Sequence, residues 1–98
     1  MRVALQAVIA RKREIERVVQ ERTRREQEVQ VVGQEQERIR QNMAQLERTS
    51  DLYTRYVQKF AAQEDRVETL REEIIDLQAK EQKARQGLDD YLQKLELN

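Results

Sequence analysis

Arg48-Thr49-Ser50-Asp51 is a short polar break at the middle of a chain whose flanking segments repeat apolar residues with heptad spacing. Thr49 and Ser50 carry side-chain oxygens that can accept from the free N–H groups opening a helix. Asp51 then places a negative charge at the positive helix end. The stretch therefore reads as the tip of an all-α hairpin, with helices at about 1–48 and 51–98 and the turn at 49–50. The expected fold is one antiparallel coiled-coil hairpin able to dimerise into a four-helix bundle, and a piece of a larger protein.

Working outward, the first segment places Val8, Ile15, Arg22, Val29, Gln36 and Met43 at heptad position a. Its position d holds Arg11, Val18, Arg25, Val32, Ile39 and Leu46. In the second segment a holds Tyr53, Phe60, Val67, Ile74, Glu81, Leu88 and Leu95, and d holds Tyr56, Gln63, Leu70, Leu77, Ala84 and Tyr91. Folding back at the turn sets a against d, so that Leu46 faces Tyr53, Ile39 faces Phe60 and Val29 faces Leu70. Gln36 then meets Gln63, and two amides in an apolar seam satisfy one another and set the register. The same register brings Arg22 within a diagonal of Glu81, and Glu35, Glu21 and Glu26 near Arg66, Lys80 and Arg71. Residues 1–49 hold 11 basic and 8 acidic side chains and residues 50–98 hold 8 and 11, so the halves are complementary in charge. The layers next to the turn are the richest in apolar residues and are expected to be the most stable. Gly33 weakens the first helix, either to allow close helix approach beside the glutamine layer or to act as a hinge.

Composition narrows the function. The chain of 98 residues is 39% charged and 4% aromatic, with no Pro, Cys or His, which is the composition of long helices. Without Cys and His there is no disulfide, thiolate metal site or classical catalytic triad, and the abundant carboxylates lie on helix faces beside Lys and Arg. No enzyme, metal or cofactor is expected. Nineteen basic and nineteen acidic residues balance to zero, so nothing draws the whole chain to nucleic acid or lipid. The densest basic stretch, Arg11 to Arg25, is interleaved with Glu14, Glu16 and Glu21, and binding of nucleic acid or a membrane surface through it is the last of three readings. The longest apolar run, Val3 to Ala10, is too short to span a bilayer and lacks the layout of a signal peptide, so the chain is expected to be soluble.

The more specific signal lies on one flank, at positions e and b, where Leu5, Ile9, Val19, Val57, Ile75 and Leu92 are apolar although the a/d seam does not need them. They either widen the seam or form a second interface with a protein partner, a second copy or the body of a parent protein. The open end of the hairpin, with Val3, Leu5, Ile9, Leu92, Leu95 and Leu97, is where that interface is expected. A spacer, docking or dimerisation element is the first reading, and a chaperone-like or adaptor hairpin holding clients at its open end is the second.

The stretch Gln34-Glu35-Gln36-Glu37-Arg38-Ile39-Arg40-Gln41-Asn42-Met43, followed by Ser50-Asp51-Leu52-Tyr53, Arg55-Tyr56-Val57-Gln58-Lys59 and Gln63-Glu64-Asp65, resembles a known segment. It is similar to the C-terminal helical hairpin of bacterial proteins of unknown function that carry a mucoidy-inhibitor-A-like β-rich domain. The likeness centres on residues 34–77 and fades in the first thirty residues. It implies a helical hairpin attached to a larger bacterial protein, and it brings no catalytic residue with it.

Overall fold

A computed structural model describes residues 2–97, with the side chain of Leu97 left out, so the expectations that touch Met1, Asn98 and the Leu97 side chain lie outside the described residues. Two helices make up the fold, α1 (Arg2–Met43) and α2 (Asp51–Leu97), in a hairpin. Nothing in either segment breaks a helix, since Pro is absent and Gly33 and Gly87 are the only glycines. Pairs one turn apart reinforce both: Glu14 and Glu21 grip Arg17, Glu35 grips Arg38, and Glu81 grips Arg85.

The reversal differs from the sequence expectation. α1 ends at Met43 rather than near residue 48, and the link is residues 44–50 rather than a turn at 49–50. Ala44 still donates to Arg40, but Gln45 and Leu46 donate to Asn42 and Met43, three residues back, and this tightening closes the helix. On the other side Ser50 caps α2, its Oγ accepting from the Tyr53 N–H at 3.1 Å while donating to the Glu47 carbonyl at 2.8 Å. The expected cap at Ser50 therefore forms, with Asp51 in the first turn.

Two compact units make up the chain, Met1–Arg24 with Glu73–Asn98, and Arg25–Glu72. In the first unit Ile15, Val18 and Leu77 are buried. Arg22 donates from Nε and Nη2 to Glu81 Oε1 at 3.2 and 3.0 Å, the expected diagonal pair, and Glu81 Oε2 takes Arg85. Both cations hold the Glu81 carboxyl below its usual range, Arg85 more than Arg22. The Arg11 guanidinium lies 5.0 Å from the Tyr91 ring centre.

In the second unit Ile39 and Leu70 are the buried apolar residues, and Asn42 donates to the Tyr56 hydroxyl at 3.2 Å. The layers beside the turn are not the best buried. Met43, Leu46, Tyr53, Tyr56 and Phe60 are all half-buried, because α1 stops before it can cover the Leu46 and Tyr53 layer. The glutamine layer also differs: Gln36 is buried but donates to Glu64 Oε1 at 2.8 Å, and the Gln63 Oε1 is buried without a partner. A carboxylate is the stronger acceptor, so it takes the Gln36 amide away from Gln63. Gly33 is exposed, and a Cβ there would meet nothing within 4 Å, which rules out close approach as its reason.

Candidate protein-interaction surface

The two flanks of the seam are built differently. Position g of α1 reads Glu14, Glu21, Glu28, Glu35, and position g of α2 includes Lys59, Arg66, Lys80 and Lys94. Glu73 and Gly87 interrupt the α2 track, so opposite charge faces opposite charge over part of this side. In the second unit Arg66 grips Glu28 through Nε at 2.6 Å and Nη2 at 3.1 Å, and Lys59 reaches Glu35 at 3.3 Å. Arg38 and then Lys59 pull the Glu35 carboxyl down to about 2. In the first unit Lys80 helps lower Glu14, whose main partner is Arg17.

The expected pairing of Glu35 with Arg66 is therefore replaced. Glu35 takes Arg38 and Lys59 instead of Arg66, which reaches Glu28 one heptad away. Local pairs within one helix fill the carboxylates first, because their partners are held one turn away at no loop cost.

The e and b flank is open. Leu5, Ile9, Val57, Ile75 and Leu92 are 62, 41, 43, 63 and 37% exposed, so these five do not widen the seam. Val19 does, being half-buried in a groove of about 510 Å³ in the first unit. Ile15, Val19 and Leu88 form the floor of that groove, and Lys12, Glu16 and Arg85 its rim. The second unit has a smaller cleft of about 180 Å³ between Arg40, Met43, Val57 and Phe60, with the Arg40 guanidinium 5.2 Å from the Phe60 ring centre. Apart from Gln20, at f, the residues lining these two gaps sit at a, b or e. The rim residues Lys12, Glu16 and Arg85 were not singled out by hydropathy, but their i, i+4 spacing at e and b was present in the sequence. The structure also exposes Val3, Val31 and Leu52, at 78, 63 and 47%, away from this flank.

Within the basic stretch Arg11 covers Tyr91, Arg17 is held by two carboxylates and Arg22 by Glu81, which engages three of its cations internally. Among the described residues no group of acidic side chains could hold a metal ion, and no described helix is long and apolar enough to cross a membrane. No protein-family model, no curated protein and no solved structure matches this chain.

Proposed function

We propose that this hairpin is a structural and docking element of a larger bacterial protein, of the kind its residues 34–77 resemble, and that it receives a protein partner along its e and b flank. The observation that carries the reading is the exposure, within the first unit, of Leu5, Ile9, Ile75 and Leu92, all at e or b positions. Exposed apolar side chains aligned on one face are the usual mark of a surface that is covered in use. The wide seam is a coiled coil in its heptad spacing, and the pairing of Gln36 with Glu64 beside a stranded Gln63 sets its register at some loss of stability.

A photo-crosslinking residue placed at Ile75 or Val57 in the full chain, in the cells that express it, tests the reading. Discrete protein adducts from these sites, and none from Lys83 on an exposed face away from the flank, are expected. Adducts from no site, or equally from all three, would overturn it. The exposed Val3, Leu5 and Leu92 also favour a client-holding role at the open end, and that role predicts a broad smear of adducts in place of discrete bands.

A further inference from the structure

We infer that the groove of the first unit is one half of a two-fold interface whose occupant is the same groove of a second copy of this chain. The inference rests on the docking reading and names its partner. A two-fold interface is isologous, so its patch must complement itself when the helix direction is reversed.

The e and b positions of α1 pass this test. Reversed about Glu14, Lys12 meets Glu16 of the second copy, Val19 meets Ile9 and Leu5 meets Thr23. Cation thus falls on anion and the two β-branched apolar residues fall on each other. The groove itself supplies the remaining apolar contact, with Ile15, Val19 and Leu88 at its floor.

The neighbouring stretch of α2 carries the same order of charge, Arg85 at e and Asp89 at b, so it complements itself when reversed about Gly87. The two centres coincide in the fold. The Arg11 guanidinium lies against Tyr91 and within 3.2 Å of a Cβ built on Gly87, and Arg22 pairs with Glu81, which brackets Glu14 opposite the turn holding Gly87. One two-fold axis therefore serves both helices. Lys12, Glu16 and Asp89 make no ion pair among the described residues and are available to a second copy, while Arg85 shares itself with Glu81.

Light scattering on the full chain, with helicity followed by circular dichroism, tests the inference through charge exchange. The wild-type chain is expected to be a dimer. K12E and E16K, both at exposed positions, are each expected to weaken it roughly ten-fold or more, because each exchange acts twice across a two-fold axis. The double variant K12E/E16K is expected to recover to within about three-fold, and so is an equimolar mixture of K12E with E16K, in which each chain supplies what the other lacks. A pair confined to one chain would not recover on mixing. A fully helical wild-type monomer at ~100 μM, weaker than any standard interface of this kind, would overturn self-pairing. So would a dimer indifferent to both exchanges. In either case discrete crosslinks from Ile75 to another protein would leave the docking reading standing, and their absence would remove both.

Discussion

Gln63→Leu is expected to stabilise the chain. Gln63 sits at a d position with its Oε1 buried and without a donor, while the amide of Gln36, the partner expected from the register, is committed to Glu64 at 2.8 Å. A buried acceptor without a partner costs about 1–3 kcal/mol, and because the Gln63 side chain is half-buried the lower end applies, about 1 kcal/mol. Leu removes that penalty and adds apolar surface to a unit whose buried apolar residues are Ile39 and Leu70. For a chain of 98 residues a gain of about 1 kcal/mol raises Tm by roughly 4–8 °C. Thermal and urea melts by circular dichroism, at one fixed protein concentration, give the value. Gln36→Leu serves as the contrast: it removes a bond to a carboxylate and is expected to lower Tm. The two changes should be nearly additive, because no bond joins the two amides. A Tm that falls or stays put in Gln63→Leu would refute the reasoning, and strong coupling in the double variant would show that the two glutamines meet after all.

Other outcomes follow from single features. Ser50→Ala removes the acceptor for the Tyr53 N–H and should lower stability by about 1 kcal/mol, with faster hydrogen exchange at the start of α2. Gly33→Ala puts a methyl group into open space in a helix and should raise stability by up to about 1 kcal/mol; a loss would mean that the glycine is needed in a bent state. Glu35, held at about 2 by Arg38 and Lys59, favours the folded state above its unfolded value near 4.5, and that contribution disappears as pH falls from there through about 2. Carboxyl NMR should find it titrating well below the ordinary glutamate range, and added salt should raise its value.

The parts of the fold that were legible in the sequence are those set by a residue's own chemistry at its own spacing. Ser50 caps because a short hydroxyl side chain is one of few that can, and the heptad track placed Val18, Ile39, Leu70 and Leu77 in the seam without any knowledge of the partner helix. Arg22 and Glu81 could be paired because each was the one charged residue on the a track of its helix. What failed were choices among near equivalents. Gln36 had two acceptors within reach and took the charged one. Arg66 had two glutamates, one of them already filled by its own helix. The end of α1 was missed because Ala44, Gln45 and Leu46 are good helix formers, and only the geometry of the reversal ends the helix there. On the flank, hydropathy marked the apolar residues, but only the positions of the grooves showed that Val19 is covered and the other five are not.

The reversal at residues 44–50 contains no glycine, no cis peptide and no residue with positive φ. It therefore asks nothing of the amino acids within it that an ordinary residue cannot supply, apart from the hydroxyl of Ser50. Lengthening it would cost little, since closure entropy rises by only about 0.6 kcal/mol for each doubling of a loop. The tip is thus the natural point of descent with insertion: a lineage can splice new sequence there, and an engineer a reporter or epitope, without disturbing a single heptad position on either side.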